Sequence, residues 1–388
     1  MDRFCGPVPG LATSVLQGVC SETVARKVMS VRPILRPGLR VLRRDDETVQ
    51  IGAGAEPSLV IDDCPELRSV LGALDGVNDE AAVVTAASGR HVTTPAAAST
   101  LTALTQLGVI ADADDLFEAS RMLPTRPRHI ALGDVGALAA STHETVASEI
   151  IGRRRRARID VIGLGAVGTQ LAWLLATNGV GALTLIDPTP VPPRPTVGVQ
   201  KDGARKTTRQ SWLRDAMSAA VPWTTVTVGR QPDNPDLAVL APDPHAGLSR
   251  ADPAEIDALS RAGAAHLMLS VDATYARIGP LVIPGRSPCL RCLDLTSADN
   301  DPAWPLLAQQ LSAPPGTSTT GWVAVDPVLA ALASACAAGQ VLRFVQGLSV
   351  ATTHEVIQLD GEGGQGTRPS RAHPGCGCGW DRPATMGA

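Results

Sequence analysis

IDVIGLGAVGTQLAWLLATNGVGALTLID, residues 159–187, contains the pattern from which the fold of the chain is predicted. It runs from an apolar, β-branched segment through three glycines into a helical pattern and a second apolar segment. Gly163, Gly165 and Gly168 have the G-x-G-x-x-G spacing, which permits a tight turn, the approach of a phosphate and close packing of helix on strand. The helix N-terminus attracts an anion. Asp187 ends the second strand, where a carboxylate can bind ribose hydroxyls, so the unit predicts a nucleotide site.

Strand and helix patterns alternate from Ile159 to about Gly347. Such alternation is typical of a doubly wound, Rossmann-like, mostly parallel α/β sheet. The tail beyond it is rich in Gly and Pro and needs something other than a core to hold it. The predicted organisation has five parts: a poorly ordered N-terminus over 1–30, a small α+β domain over 31–115, a linker and helix over 116–156, the nucleotide-binding domain over 157–348, and a C-terminal strand and metal-binding tail over 349–388.

The predicted small domain shows two kinds of pattern. Short alternating runs between residues 39 and 61 are separated by Asp-Asp and Gly-Ala-Gly turns, which indicates a β-meander. Leucines at helical spacing follow over 64–76 and 93–108, and each pattern ends at a glycine. A small sheet followed by two or three helices is therefore expected here, and residues 31–115 resemble a winged-helix or PqqD-like peptide-binding module.

Composition narrows the classes of partner. The formal net charge is -4 and the pI about 6.0, which argues against broad binding to nucleic acid. The basic run RRRRAR over 153–158 is interpreted as a solvated turn before a strand. No signal-peptide pattern opens the chain, and no apolar stretch is judged long enough and free enough of breakers to span a bilayer. We therefore expect a cytoplasmic protein with no nucleic-acid or membrane partner.

Four of the eight cysteines form two close pairs, Cys289 with Cys292 and Cys376 with Cys378. Four thiolates can complete a tetrahedral Zn²⁺ shell, and small neighbouring residues let backbone N–H groups turn toward sulfur. A complete shell leaves no position for water, so the predicted zinc is structural and holds the tail. A redox dithiol is the alternative, and His373 is an alternative ligand.

Three segments resemble the ThiF/MoeB family, relatives of ubiquitin-activating enzymes that use ATP to adenylate a C-terminal carboxylate. They are NGVGALTLIDPTPV, KDGARK and DLAVLAPDP, and the resemblance covers residues 140–380 approximately. It implies that Lys206 contacts phosphate, that Asp243 contacts nucleotide and Mg²⁺, that the zinc is structural, and that the protein is a homodimer. The implied nucleotide-binding residues are Gly163, Gly165, Ala166, Gly168, Asp187, Lys206 and Asp243, and the implied catalytic residues are Lys206, Asp243 and Arg194.

The chain departs from the family pattern just after Asp187. Thr189 stands where the family has a second aspartate, and PPRPTVGVQ replaces its Ser-Asn-Leu-x-Arg-Gln segment. Arg194 is the nearest substitute for the family's arginine. The alternatives for the acidic residues are capping of the following turns, and for Lys206 a solvated position on a helix.

A longer segment, GPLVIPGRSPCLRCLDLTSADNDPAWPLLAQQL, together with HPGCGC, resembles a ThiF-like subgroup associated with ribosomally made, modified peptides. In that subgroup a winged-helix or PqqD-like N-terminal module binds the precursor's leader peptide. A YcaO-type cyclodehydratase acts with it, and since this chain has no YcaO-like region, that partner would be separate.

The sequence is compatible with three functions. Adenylation of a peptide or carrier-protein carboxylate, with ATP, Mg²⁺ and structural Zn²⁺, is favoured. A leader-peptide-binding scaffold with a weakened nucleotide site is the alternative. A nicotinamide dehydrogenase is disfavoured, because Tyr275 is followed by ARIG and not by a catalytic lysine motif. No nucleophile is identified, since Cys336 lies in a small-residue helix expected to pack in a core.

Overall fold

The computed structural model describes residues 31–52, 59–89, 91–123, 135, 147–191, 207–243, 250–312 and 325–378. Its contacts divide the chain into two compact units, Met1–Gly152 and Arg153–Ala388. The predicted boundary between linker and nucleotide domain, at 156/157, lies within a few residues of this division. The finer five-part organisation stays a prediction.

Over the described residues between 31 and 123, the first unit combines two small sheets with four helices. The strands are β1 (Pro33–Leu35), β2 (Val41–Arg43), β3 (Thr48–Ile51), β4 (Leu59–Asp62) and β5 (Ile110–Asp112), and the helices are α1 (Pro65–Ala73), α2 (Glu80–Ala87), α3 (Thr94–Gln106) and α4 (Ala113–Met122). Strands β2, β3 and β4 form an antiparallel meander, and β1 pairs antiparallel with β5.

Local signals explain the helices of this unit. The Thr93 hydroxyl accepts a hydrogen bond from Ala96 N and begins α3. Leu101 and Leu104, three positions apart, are buried on one side of α3, and Leu67 and Val70 occupy the matching positions of α1. The meander and the two leucine helices are present as expected. Assignment to the winged-helix or PqqD-like class stays a prediction.

The second unit is built on an eight-stranded sheet. Its strands are β6 (Arg158–Ile162), β7 (Ala182–Ile186), β8 (Thr225–Val228), β9 (Leu237–Leu240), β10 (His266–Val271), β11 (Tyr275–Val282), β12 (Glu355–Asp360) and β13 (Gln365–Pro369). The helices are α5 (Ala147–Arg156, which enters from the first unit), α6 (Ala166–Thr177), α7 (Arg209–Ala220), α8 (Pro253–Arg261), α9 (Leu290–Asn300), α10 (Trp304–Ser312) and α11 (Pro327–Val345).

The strand order is β13-β12-β11-β10-β9-β6-β7-β8. Strands β10, β9, β6, β7 and β8 are mutually parallel, and β11, β12 and β13 extend the sheet antiparallel. The chain moves outward from β6 through β7 to β8, then returns to place β9 on the other side of β6. This reversal creates the topological switch point at which open α/β sheets bind ligands. The predicted Rossmann-like, mostly parallel sheet is confirmed.

Helix α11 corrects one expectation about apolar length. Its 19 residues are long and apolar enough to cross a membrane by length and composition alone, contrary to the sequence-based judgement. In this fold the helix packs on α6, and the Ser334 hydroxyl lies 3.1 Å from the carbonyl oxygen of Val167. Cys336 is half-buried on the same helix and packs against the main core. The small residues of α11 thus allow close packing of one helix on another.

The basic run is a helix end and not the predicted turn, although Arg155, Arg156 and Arg158 are exposed and the run precedes a strand as expected. Arg153 to Arg156 form the last turn of α5. Arg153 donates to the Gln346 carbonyl at 2.5 Å, and Arg154 donates to that of Asn178 at 3.4 Å. Guanidinium groups at a helix C-terminus offset the partial negative charge there. Arg153 and Arg154, which belong to the second unit, therefore bind loops of that same unit.

Candidate nucleotide site and cysteine cluster

The glycine-rich turn follows β6 and is shaped by close backbone contacts. Gly163 has φ of 92°, and a Cβ there would lie 2.1 Å from the Ala241 carbonyl oxygen. A Cβ on Gly168 would lie 1.9 Å from the Gly163 carbonyl oxygen. Helix α6 begins at Ala166, and its N-cap residue Gly165 has no side chain to accept from the first N–H groups. Those groups are therefore available to an anion.

Asp243 lies against this turn. It follows β9, the strand beside β6, and is 5% exposed. A Cβ on Gly165 would lie 2.5 Å from Asp243 Oδ1. The structure therefore brings together two predicted site residues that are distant in the chain. A carboxylate beside a helix N-terminus can hold a metal ion that accompanies a phosphate.

Asp187 is buried and organises both the turn and the segment that follows it. Its Oδ2 accepts from Leu164 N at 2.8 Å, and its Oδ1 accepts from Thr189 N at 3.0 Å and from the Thr189 hydroxyl at 2.5 Å. Its own N–H donates to Gln210 Oε1 at 2.9 Å. Thr189, which stands where the family has an aspartate, therefore contributes two of the donors to this carboxylate.

Arg209 is the site residue that the sequence analysis missed. Its Nη1 lies 2.5 Å from Asp243 Oδ2 and 3.5 Å from Asp187 Oδ2, and its side chain is 14% exposed. It is the first residue of α7, directly after the N-cap Thr208. The first turn of a helix carries partial positive charge, so an arginine there is placed unfavourably. This placement was the feature of the sequence that could have indicated compensating carboxylates near Arg209.

Two predicted residues, Lys206 and Arg194, lie outside the described residues, so their roles stay predictions. The described part of the site contributes helix N–H donors, two buried carboxylates and one guanidinium. Uncapped N–H groups suit phosphate, and carboxylate oxygens are ligands that Mg²⁺ prefers. These residues fit a magnesium nucleotide.

The four paired cysteines converge as predicted, and they could hold a metal ion. Their sulfur atoms all lie within 4.8 Å of one another. Cys289 Sγ is 3.8 Å from Cys292 Sγ and 3.4 Å from Cys376 Sγ, and Cys292 Sγ is 3.5 Å from Cys378 Sγ. Tetrahedral zinc with bonds of about 2.3 Å places sulfurs about 3.8 Å apart, whereas a disulfide requires about 2.05 Å. The cluster fits a tetrahedral metal better than a disulfide.

His373 is not part of the sulfur cluster. Its Nε2 lies 2.8 Å from Asp299 Oδ2, and its Nδ1 lies 3.1 Å from Gly375 N. Both ring nitrogens thus have partners, so the alternative of His373 as a ligand is disfavoured by geometry. Burial raises the pKa of the Cys289 and Cys376 thiols, and a divalent cation would reverse this by stabilising the thiolates.

The segment that resembles peptide-associated proteins forms a corner between α9 and α10. Trp304 Nε1 donates to Asp294 Oδ1 at 3.0 Å. Arg250 pairs with Asp294 at 2.8 Å and lies over the Trp304 ring at 5.5 Å. Asp301 Oδ1 accepts from Ala303 N at 3.0 Å. The DPAW residues therefore have structural roles in this corner.

The reversed strand order, the glycine turn at the switch point and the buried carboxylates define a Rossmann-like α/β protein with a candidate nucleotide site. No family model matches the chain, and no curated protein matches it. Solved structures do match its fold. E. coli MccB with ATP is 14% identical, with a TM-score of 0.64, and the match covers 89% of this chain and 99% of that chain.

Two further structures support the same fold. The Microcin C7 biosynthetic enzyme MccB in complex with N-formylated MccA is 15% identical, with a TM-score of 0.63 and coverage of 89% and 99%. PaaA is 15% identical, with a TM-score of 0.58 and coverage of 86% and 98%. The fold implied by the predicted resemblance to the ThiF/MoeB family is thereby confirmed.

Proposed function

We propose that this protein binds ATP with Mg²⁺ at the carboxyl edge of the parallel strands and adenylates a carboxylate of a peptide or carrier protein. The observation that carries the proposal is the contact of Asp243 with Gly165 at the N-terminus of α6. It places a metal-binding carboxylate beside N–H groups suited to phosphate. The ATP-bound structure of MccB, which has this fold, supports the choice of nucleotide.

In the proposed reaction a carboxylate oxygen of the substrate attacks the α-phosphorus of ATP. The new O–P bond forms as the bond to the bridging oxygen breaks, and pyrophosphate leaves with the electron pair. Mg²⁺ would neutralise charge on the phosphates. The protein contributes by positioning and by charge neutralisation: α6 N–H groups hold phosphate, and Asp243 orients the metal.

The remaining predicted residues complete the proposal. Lys206 and Arg194 would neutralise phosphate charge, and Gly163, Ala166 and Gly168 would shape the turn. Asp187 would contact the ribose as well as hold the turn through Leu164 N. The cysteine cluster is proposed to hold structural Zn²⁺ and so fix the tail to α9, because its two halves come from residues far apart in the chain.

The substrate is proposed to be a precursor or carrier peptide. Structures of MccB in complex with MccA support a peptide partner for this fold. The small N-terminal domain would bind the leader, a YcaO-type cyclodehydratase would be a separate partner, and the protein would act as a cytoplasmic homodimer.

A leader-peptide scaffold with a weakened nucleotide site is the second candidate. Two observations favour it. Thr189 stands where the ThiF/MoeB family has an aspartate, and Arg209 forms an ion pair with Asp243 Oδ2. A weakened site would still fold, because the polar groups of Asp187 already have protein partners.

Calorimetric titration with ATP in the presence of Mg²⁺ separates the two functions. We expect saturable binding by the unmodified protein and at least tenfold weaker binding by Asp243→Asn, since about one charge-assisted metal contact is removed. Asp257→Asn is the matched control, because Asp257 is exposed on α8. Absence of binding at millimolar ATP would reject the enzyme and leave the scaffold.

A further inference from the structure

We infer that Arg209 is a positioning residue that keeps free divalent cations away from Asp187 and Asp243, so that a metal enters this site only together with the phosphates of a nucleotide. The inference concerns regulation of the proposed nucleotide site and rests on that proposal. It is carried by the buried contacts among these three side chains.

Both carboxylates already accept hydrogen bonds from the protein. Asp243 Oδ2 accepts from Arg209 at 2.5 Å, and Asp243 Oδ1 lies 2.5 Å from the position that a Cβ on Gly165 would take. Asp187 Oδ1 accepts two donors from Thr189, and Asp187 Oδ2 accepts from Leu164 N. Mg²⁺ requires ligand oxygens at about 2.0–2.1 Å in near-octahedral geometry. A free cation would therefore compete with Arg209 for Asp243 Oδ2, and with Leu164 N and Thr189 for the oxygens of Asp187.

The charge of Arg209 also opposes binding of a free cation. Asp187 and Asp243 are each 5% exposed, so solvent screens them poorly. A guanidinium within 3.5 Å of both carboxylates would repel a divalent cation at the same oxygens. Removing this guanidinium would leave two neighbouring buried carboxylates, which is the arrangement that attracts a divalent cation.

A nucleotide changes this balance because it brings its own negative charge. Phosphates at the N-terminus of α6 would lie beside Asp243, and guanidinium groups bind phosphate oxygens in bidentate fashion. Arg209 could then exchange a carboxylate for a phosphate while Thr208 holds the start of α7 in place. Release of Asp243 Oδ2 would free this oxygen for the metal that the phosphates carry.

The position of Arg209 on its helix favours exchange over a purely structural ion pair. The first turn of α7 carries partial positive charge, so a cation there is held against the helix dipole. Arg214 on the same helix offers the contrast, since it is 39% exposed and pairs with exposed Asp215 at 2.7 Å. Removing Arg214 would leave no buried carboxylate without a partner.

The test measures binding of Mn²⁺ alone to the full chain, without nucleotide, by calorimetry or by the electron paramagnetic resonance of free Mn²⁺. We expect Arg209→Gln to bind Mn²⁺ about tenfold more tightly or better than the unmodified protein. Arg214→Gln should not gain affinity. The double variant Arg209→Gln/Asp243→Asn should lose the gain, because it lacks one of the two carboxylates. Arg209→Lys keeps the charge and should resemble the unmodified protein.

A second measurement addresses folding. We expect MgCl2 to raise the Tm of Arg209→Gln by several degrees more than NaCl does at equal ionic strength, with no such difference for the unmodified protein. If Arg209→Gln is unfolded as isolated, refolding in MgCl2 but not in NaCl supports the inference, and refolding in neither overturns it. If the ion pair of Arg209 is purely structural, Arg209→Gln should be less stable than the unmodified protein and show no specific response to divalent cations.

Equal Mn²⁺ affinity of the unmodified protein and Arg209→Gln overturns the inference, and so does an equal gain in Arg214→Gln. Neither measurement contains ATP, so these outcomes are independent of the proposed function. If the unmodified protein binds no ATP but Arg209→Gln gains Mn²⁺ affinity, the proposed function fails while the exclusion of cations by Arg209 stands.

Discussion

Arg209 Nη1 lies 2.5 Å from Asp243 Oδ2, although the two residues are 34 positions apart in the chain. The contact joins the start of α7 to the carboxyl end of β9, and it also brings Asp187 within 3.5 Å of the same guanidinium. One guanidinium thus lies beside two carboxylates, each of which follows a different strand of the sheet.

Gly165→Ala should disturb the nucleotide site directly. Its Cβ would lie 2.5 Å from Asp243 Oδ1 and 3.0 Å from Asp243 Cβ, so either the turn or the carboxylate must move. We expect at least tenfold weaker ATP binding by calorimetry, and a lower Tm. Gly339→Ala is the matched control, because a Cβ there meets nothing within 4 Å and alanine stabilises a helix by roughly 0.5–1 kcal/mol over glycine. Unchanged ATP affinity in Gly165→Ala would contradict the proposed phosphate position.

Cys376→Ser should remove a bound metal and loosen the C-terminal tail. Four thiolates form the shell, and loss of one leaves an incomplete tetrahedron. We expect about one zinc per chain in the unmodified protein by elemental analysis, much less in Cys376→Ser, and faster proteolysis of the tail. Cys336→Ala is the control, since Cys336 lies on α11 outside the cluster. A metal-free protein that forms a disulfide within the cluster would favour the redox dithiol instead.

His266 should make folding stability depend on pH. Its side chain is fully buried on β10, its Nδ1 lies 3.0 Å from the Ala264 carbonyl oxygen, and its Nε2 has no hydrogen-bond partner among the described residues. Burial lowers the pKa of this imidazole, so the folded state favours the neutral ring. The unfolded chain binds its proton near pH 6.5, so the free energy of unfolding should decrease as pH falls from about 6.5 toward the lowered folded-state pKa.

His266→Met should remove this part of the pH dependence, because methionine has a similar volume and no proton to bind. His354→Gln is the control, since His354 is exposed. The measurement is the free energy of unfolding in urea between pH 5 and 8. An identical pH profile for His266→Met and the unmodified protein would show that His266 is not responsible.

Asp160 should destabilise the folded state at neutral pH. It lies on β6 with 8% of its surface exposed, and burial raises the pKa of its carboxyl group. Because the folded-state pKa is higher than the unfolded one, stability should be lost as pH rises from about 3.9 through the folded-state pKa. Asp160→Asn should therefore raise the Tm at pH 7 and have little effect near pH 4. A lower Tm at pH 7 would indicate that the charge on Asp160 is needed by neighbouring groups.

Much of the fold follows from local sequence patterns. The spacing of Gly163, Gly165 and Gly168 after a β-branched strand restricts the chain to a strand–turn–helix. A Cβ on Gly163 or Gly168 would lie only 2.1 or 1.9 Å from a carbonyl oxygen, so only glycine fits there. Alternation of apolar strands and helices then predicts a parallel sheet. The cysteine pairs predict a metal cluster from spacing alone, and the structure agrees with a sulfur separation near that of tetrahedral zinc.

Other features depend on contacts between distant segments. The amphipathic pattern of α7 does not indicate which carboxylates Arg209 contacts. This contact depends on the position of β9 beside β6 at the switch point. Likewise, the apolar α11 packs against the core because Ser334 and its small neighbours contact α6. Arg153, in the last turn of α5, is held by the carbonyl oxygen of Gln346, which is distant in the chain. The nucleotide turn and the two cysteine pairs could therefore be read from residue spacing within short chain segments. The balance of charge in the site could not, because electrostatic interaction depends on distance in space and not along the chain.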